Sequence, residues 1–487
     1  MMIKCRLWVT MLAALGLVAT LLPGDAQAVE LGDFTLNGYA RQYLSFNLDD
    51  VPETSGDDKG KLSMNRQTLL LQLRGPVGPA KLTAIARFSR EQITDYQGDL
   101  QDLAKSVPGG SGDFRDEYDE TEIRELFLDI PIGERVNMRI GKQQVVWGET
   151  DFFQAMDVVH GYDQSWRSFL EPENEEWRKP LILTTATIDI PELDGSLQIV
   201  VRPGLDDEED IGNTYDMFGG RWSQNGSRGF DLNGSLIPIE YHHSKGDTDD
   251  MHYGARWVGT LWDQDYSLNY YRTQAQNPVI FGAEDFPLPP LSPAPIAFIY
   301  PEIDIYGGTM SGYIPYIDSV YRFEAAFIPD NPFNYGPYSQ VIEKDTWRTM
   351  IGLDTNMRLQ NYIGTSSQGM LSLQIFDTWI ADYKKSEGIT NAFGSSEDEH
   401  TTWTTAILTF PYKNDTIIGQ IVAVNDVSNG GGVFVPSVEF QFGPSWRVKT
   451  ELDLFYGGTK SDTPGGATLF GSFDNSSQWF SRITYQF

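Results

Sequence analysis

The sequence predicts an all-β fold: a transmembrane antiparallel β-barrel of about 18 strands, with short periplasmic turns and long extracellular loops. Three observations predict it. A secretory leader is followed by no apolar run long enough for a spanning helix. The rest of the chain consists of segments that alternate apolar and polar residues with period two. The chain then ends on an aromatic residue inside such a segment.

The leader comes first. Lys4 and Arg6 precede an apolar stretch from Leu7 to Leu22, and Ala26-Gln27-Ala28 offers a small-x-small cleavage site just after Pro23-Gly24. Residues 1–28 are expected to be a signal peptide and 29–487 a single outer-membrane barrel domain. Cys5, the one cysteine, lies in the leader, so no disulfide framework, zinc ribbon or c-type haem attachment is expected. No later stretch approaches the roughly 18 apolar residues of a spanning helix, whereas membrane strands need only about 9–11.

The strands follow. Phe34, Leu36, Gly38, Ala40, Leu44, Phe46 and Leu48 share one face, and Thr35, Asn37, Tyr39, Arg41, Tyr43, Ser45 and Asn47 the other. Similar apolar faces recur at Leu82, Ala84, Ala86 and Phe88, at Val136, Met138 and Ile140, at Tyr253, Ala255 and Trp257, at Tyr321, Phe323, Ala325 and Phe327, and at Val448, Leu452, Leu454 and Tyr456. Their partner faces carry charges that a dry core would not accept. In the last segment Trp479, Ile483, Tyr485 and Phe487 alternate with Gln478, Arg482, Thr484 and Gln486. Ile483, Tyr485 and Phe487 resemble the C-terminal signal read by the outer-membrane assembly machinery.

Turns give the strand count. Pro, Gly, Asn or Asp turns lie near 75–79, 131–134, 191–195, 263–265, 315–317, 411–415 and 443–445, with a looser eighth at 359–367. Nine longer segments separate them: 49–61, 91–120, 141–178, 204–249, 277–301, 330–345, 381–400, 427–431 and 458–475. Eight turns and nine loops give 18 strands with both termini periplasmic, and a count of 16 stays open because 233–262 can be parsed differently.

If the apolar sets face lipid, a charged set faces inward. It includes Arg41, Arg66, Arg87, Arg139, Arg256, Arg322, Arg348, Arg447 and Arg482, with Glu125, Glu324, Asp354, Glu451 and Asp453. Two readings follow: a salt-bridge network that fills and stiffens the lumen, or a ladder, with Arg41, Arg66, Arg87, Arg139, Arg256 and Arg322 as its rungs, that steers an anionic cargo. Arg41, Arg66, Arg87 and Arg139 make a locally basic wall in a chain whose net charge is −32. That acidity excludes nucleic acid as a main partner, since a binder needs a basic stripe to displace phosphate counterions.

The segment 141–178 is the expected constriction, through Lys142, Trp147, Asp151, Phe152, Phe153 and Asp157. Phe152, Phe153, Met156 and Val159 fall at helical spacing behind an acidic start, so Asp151–Val159 reads as an amphipathic helical turn that either enters the lumen or caps it from outside. The segment 277–301 is mostly apolar and proline-rich, with Phe281, Phe286 and Phe298 poised to seal the mouth, touch lipid or receive a hydrophobic cargo. Acidic runs such as Asp206–Asp210 read as solvated loop tips. No catalytic residues, metal ligands or cofactors are expected. The five histidines, His160, His242, His243, His252 and His400, sit in no G-x-S-x-G context, and the chain reads as a non-enzyme.

GYARQYLSFNLDDVPE (38–53) and RIGKQQVVWGETDFFQAMDVV (139–159) resemble a proteobacterial outer-membrane family catalogued as a domain of unknown function, over essentially the whole mature chain. More loosely, the strand-then-loop Gly-Lys-Gln segment is similar to that of alginate-export barrels, with Lys142 standing where those have arginine. The resemblance implies a component of a trans-envelope route for lipid or other hydrophobic molecules. Its implied partners are outer-membrane lipid and lipopolysaccharide, a resistance-nodulation-division (RND) transporter and a periplasmic lipid carrier. A general or anion-preferring diffusion porin is the alternative.

Overall fold

The computed structural model describes residues 28–110, 113–151, 153–167, 170–171, 173–207, 210–224, 226–232, 239–242, 251–280, 296–335, 340–391, 396–457 and 468–487. The expected leader, up to Gln27, and the loop residues Phe152, Phe281 and Phe286 lie outside them.

Eighteen antiparallel strands form one closed ladder. They are β1 Phe34–Asn47, β2 Leu62–Val77, β3 Ala80–Glu91, β4 Glu120–Ile132, β5 Val136–Gln143, β6 Leu181–Ile190, β7 Gly195–Arg202, β8 His252–Leu261, β9 Gln264–Gln274, β10 Glu302–Ile314, β11 Ser319–Tyr335, β12 Gln340–Met357, β13 Gly369–Ile380, β14 His400–Tyr412, β15 Ile417–Asp426, β16 Gly431–Phe442, β17 Trp446–Gly457 and β18 Gln478–Gln486. Each pairs with its neighbour in sequence, and β18 closes on β1 in the register Tyr39↔Gln486 to Asn47↔Gln478. Closure leaves no unpaired edge, which is the condition for strands to lie in hydrocarbon. The 16-strand parsing is therefore excluded.

All eight expected turns connect strands at one end, here called the turn end. One expectation fails at the other end. The segment 330–345 is not a loop: β11 and β12 run through it, pairing Asn331↔Lys344 to Tyr335↔Gln340 after a register shift between Ile328 and Asn331. Pro329 and Pro332 interrupt the backbone donors here, but the bulge at Asp330 (φ 50°) absorbs the interruption and the ladder resumes. The segment 91–120 contains a helix, Asp95–Ser106, capped by a reciprocal Thr94–Gln97 box.

The outer face follows from the alternation. Tyr270, Tyr306, Phe327, Trp347 and Trp379 are register partners across β9 to β13, forming one aromatic belt toward the loop end. Tyr485, Trp446 and Phe442 pair in the same way across β18, β17 and β16 at the turn end. On β17, Trp446 and Tyr456 mark the two belts. They stand about 34 Å apart along the strand, which at a tilt near 40° spans about 26 Å of membrane normal. Aliphatic residues such as Leu452, Ile351, Ile375 and Leu268 lie exposed between the belts. That is the height and composition of a hydrocarbon-facing band.

Eighteen tilted strands spaced about 4.8 Å apart enclose a cylinder roughly 35 Å across at the backbone. Side chains alone do not fill that width, so what occupies the interior decides what the barrel does.

Candidate functional site: the lumen and its inserted loop

The loop between β5 and β6, residues 144–180, lies inside the barrel. It follows an irregular path rather than the helical turn expected over Asp151–Val159. Phe153 turns to one wall while Met156 and Val159 share another, so a single amphipathic face has no counterpart. Backbone N–H groups that a helix would pair internally are instead taken by the barrel: Glu324 of β11 accepts from the amides of Glu149 and Met156, the latter at 2.9 Å. Glu324 lies about 20 Å along β11 from the turn end. The loop therefore descends to mid-barrel and is not an external cap.

Its apolar side chains meet inward-facing strand residues around the circumference. Trp147, Met156, Val158 and Val159 are buried with Leu183, Val200, Tyr271, Ile305, Ala326 and Ile328. Phe153 packs between Phe376, at a ring-centroid distance of 5.4 Å, and Trp403, at 4.0 Å. Trp166 sits edge-on to Tyr43, 5.2 Å away, with the Arg66 guanidinium 4.5 Å above its ring. Aromatic rings supply area with defined geometry, so these contacts set the position of the loop as well as its burial.

Charge complementarity fixes the rest. Glu176 receives Arg41 at 3.1 Å and the Tyr39 hydroxyl at 2.7 Å, and its backbone carbonyl accepts from Arg87 at 2.7 Å. Arg124 of β4 donates to the carbonyls of Glu175 and Arg178, both at 2.7 Å. Opposite, Arg322 binds Asp151 at 2.9 Å and Asp354 at 2.9 Å, and Arg256 donates to the Val146 carbonyl at 3.0 Å. The densest cluster lies against β17 and β18. Arg167 of the loop binds Glu451 at 2.6 Å, stands 3.5 Å from both Asp453 and Glu171, and lies over the Phe480 ring at 3.6 Å. Arg482 holds Glu171 and Glu173, each at 3.0 Å.

His160 staples the two stems of the loop. Its Nε2 accepts from the Val145 amide at 2.8 Å and its Nδ1 lies 2.9 Å from the Lys179 carbonyl, so the ring fits as the neutral Nδ1–H tautomer. Burial, reinforced by the nearby Arg178, lowers its pKa to about 3. A displaced loop would expose this imidazole to water, where it titrates near 6.5. Above that pH both states are neutral and pH has no effect. Between about 6.5 and 3 the displaced state binds the extra proton, so docking weakens as pH falls, by up to about 1.4 kcal/mol per unit. Glu171, pushed up to about 7 by burial, titrates in the same window, and it and the buried Glu324 are present in wild type and variant alike, so the histidine's part is read as a difference. From pH 7 to pH 5 channel open probability in planar bilayers is expected to increase in the wild type relative to His160→Gln.

The expected site residues divide as follows. Arg41, Arg66, Arg87, Arg139, Arg256 and Arg322 all lie on the inward parity of their strands. Five of them touch the inserted loop, while Arg139 pairs across the ladder with Asp129 at 2.7 Å. Trp147, Asp151, Phe153 and Asp157 come together inside the barrel. Asp157 accepts from the Tyr162 hydroxyl at 2.6 Å and pairs with Arg178. Lys142 does not join them. It shares the outward parity of Val136, Met138 and Ile140 on β5 and binds Asp210 at 2.9 Å. Phe298 is buried against Met217 and Tyr300, in a short strand Ile296–Ile299 that pairs with Ile239–His242 and Val279–Ile280. Ile483 and Tyr485 face outward on β18, and the backbone of Phe487 bonds that of Gly38 in both directions, at 3.0 and 3.1 Å. Sequence reasoning missed Arg167, Glu171, Glu173 and Glu176. The signal was present: the run Glu171-Pro-Glu-Asn-Glu-Glu176 is the complement of the basic wall on the first strands.

The closed 18-stranded antiparallel ladder, the two aromatic belts and the charged interior define a porin-like β-barrel channel of the outer-membrane type. The model of the family described as "Protein of unknown function (DUF1302)" matches residues 86–461, and the chain belongs to that family. Among solved structures it is similar to Salmonella typhi OmpF in complex with daunomycin, at 9% identity over 95% of this chain and 100% of that one with a TM-score of 0.44. It is also similar to two Acinetobacter baumannii proteins. The outer membrane channel DcaP shares 11% identity over 95% and 100% of the two chains at a TM-score of 0.42, and OccAB3 shares 8% over 94% and 100% at 0.46. No curated protein matches the chain.

Proposed function

We propose that the chain is an outer-membrane conduit, closed at rest, through which amphipathic or hydrophobic molecules pass to or from a periplasmic partner. The observation that carries this reading is the inserted loop. It crosses the lumen on apolar and aromatic contacts pinned by ion pairs, and one side of it, with Phe153 and Trp177, bounds a chamber that joins aromatic and polar walls. A general diffusion porin needs a standing aqueous path, whereas a conduit for apolar cargo is served by a closed path with apolar walls. The lumen arginines enter the proposal through the loop. When it moves, Arg41, Arg87 and Arg322 exchange the loop's carboxylates and carbonyls for water, and would line the route for an anionic head group. Outer-membrane lipid and lipopolysaccharide, an RND transporter and a periplasmic lipid carrier are the proposed partners, with the leader and the last strand serving export and assembly.

Single-channel recording on the purified barrel, paired with mild-detergent purification from native membranes and mass spectrometry of bound proteins and lipids, tests the reading. A nearly closed barrel that carries lipid or a periplasmic carrier supports it. A steady, large, anion-selective conductance from a lipid-free barrel replaces it with a diffusion porin.

A further inference from the structure

On the loop-end side of the inserted loop lies a cavity of about 360 Å³, bounded by Phe153 and Ala155, by the 213–232 segment and by the inner faces of β11 to β14. Its volume falls within the ~300–1,000 Å³ of small-molecule sites. One part is an aromatic platform of Phe153, Phe376 and Trp403, joined by the centroid contacts of 5.4 and 4.0 Å given above. Another carries Arg348 of β12.

Arg348 and Arg256 differ from the other inward arginines at the loop, and Arg256 spends a donor on the Val146 carbonyl at 3.0 Å. Arg41, Arg87, Arg322 and Arg482 each lie within 4 Å of a carboxylate. Arg348 has none at that distance among the described residues, and its hydrogen bond is a long one, 3.4 Å to Oε1 of Gln276. Gln276 is itself fixed: its amide nitrogen donates to the carbonyls of Asp157 at 2.9 Å and His160 at 2.7 Å, so its oxygen is the atom left to face the guanidinium. The carboxylates on the same cavity are committed or distant. Asp377 accepts from His400 and Thr402, and Asp216 from Tyr118 and three backbone amides. Glu397 also lines the cavity, near enough for its charge to act on Arg348 but not within 4 Å of it. Two further polar atoms on the wall have no hydrogen-bond partner among the described residues: the buried Thr390 hydroxyl and the Trp403 indole N–H. An arginine with spare donors, unmet polar atoms and an aromatic surface in one cavity form a site with both polar and apolar halves.

We propose that this chamber binds an amphipathic anion, with its acidic head on Arg348 and its apolar body on Phe153, Phe376 and Trp403. The proposal rests on the conduit reading and gives it a substrate class: molecules carrying one compact negative group on a hydrophobic frame.

Calorimetric titration of the full barrel in lipid nanodiscs, with empty discs subtracted, tests it using decanoate, decyl phosphate, decanol and decyltrimethylammonium. Decanoate or decyl phosphate is expected to bind saturably, and the stronger of the two identifies the head group. Arg348→Gln is expected to weaken that anion by about tenfold or more while leaving decanol unchanged, and Arg348→Lys to retain most of the binding. Equal anion affinity in Arg348→Gln overturns the proposal. So does wild-type barrel that takes decyltrimethylammonium or decanol as tightly as the anions, a comparison that needs no variant. In that last case the amphiphile conduit survives and the anion site falls. Absence of binding by all four probes removes both.

Discussion

Replacing residues 149–175 by a short Gly-Ser linker is expected to turn a nearly closed barrel into an open one, with single-channel conductance rising on the order of tenfold. An 18-stranded barrel cleared of its filling leaves a water-filled channel. The replaced stretch carries Phe153, Met156, Trp166 and Arg167, each bound to a different sector of the wall. The ladder itself loses nothing: β5 and β6 stay paired from Val136↔Ile188 to Gln143↔Leu181, and β18 still closes on β1. Heat-modifiable migration on gels should therefore persist. Arg41 loses Glu173, Arg322 loses Asp151 and Arg482 loses Glu171 and Glu173, but all three gain water, which costs little for an arginine at an aqueous surface. The inner faces at Leu183, Val200 and Ile305 become wet, at about 25 cal/mol per Å² of apolar area exposed. Conductance unchanged by the replacement would show that the closure lies elsewhere, and the loops at 203–251 and 275–301 would then be the segments to remove.

The barrel was legible in the sequence because its determinants are local. A strand in a membrane wall states its orientation every second residue, as Val448, Leu452 and Leu454 do against Lys449, Glu451 and Asp453 on β17. Turns state themselves through residues that accept positive φ, such as Gly78, Gly133, Asp194 and Gly443. The Thr94–Gln97 capping box was equally local and announced a helix that went unread. The plug was legible only in part. Trp147, Asp151 and Phe153 signalled that the third loop was special, but its partners are hundreds of residues away. Nothing near Arg167 names Glu451, and nothing near Met156 names Glu324. Such pairs depend on which strands the closed ladder brings to face each other across the lumen. Helical spacing misled for the same reason: Phe153 and Met156 are three residues apart yet answer to different walls, Phe153 to Phe376 and Trp403, and Met156, with Val159, to Leu183 and Ile305. Gly161 shows how tightly that arrangement is drawn, since any side chain there would strike the backbone of Gly212 in the next loop.

Arg167→Ala is expected to undock the loop while leaving the barrel folded. The substitution strips the nearest guanidinium from Glu451 and Asp453, which are buried on adjacent inward positions of β17. Lys449 still reaches Glu451 at 2.7 Å, but among the described residues Asp453 then has only Gln478 as a close partner, at 2.5 Å. Removing one member of a buried ion pair costs about 3–5 kcal/mol, because the remaining charge is left without compensation. Here the penalty has an outlet. The carboxylates recover hydration if the loop lifts from β17 and β18, so the cost is paid by the docked state of the loop and not by the strand ladder. The ratio of docked to undocked loop should fall about 10²- to 10³-fold, read as shorter closed times in single-channel records and faster hydrogen exchange over 160–178, with the melting temperature of the barrel little changed. Two companion variants separate charge from shape. Arg167 holds a left-handed backbone (φ 51°), a conformation that costs a side-chain-bearing residue on the order of 1 kcal/mol. Arg167→Gly relieves that strain and should undock the loop measurably less than Arg167→Ala. The triple change Arg167→Met, Glu451→Gln, Asp453→Asn removes the orphaned charges with their partner and should restore most of the closure, since neutral groups of similar volume need no counterion. If Arg167→Ala closes as firmly as the wild type, or the triple variant is as open as the single one, buried charge does not hold this loop, and its aromatic contacts with Tyr43, Phe376 and Trp403 carry the closure.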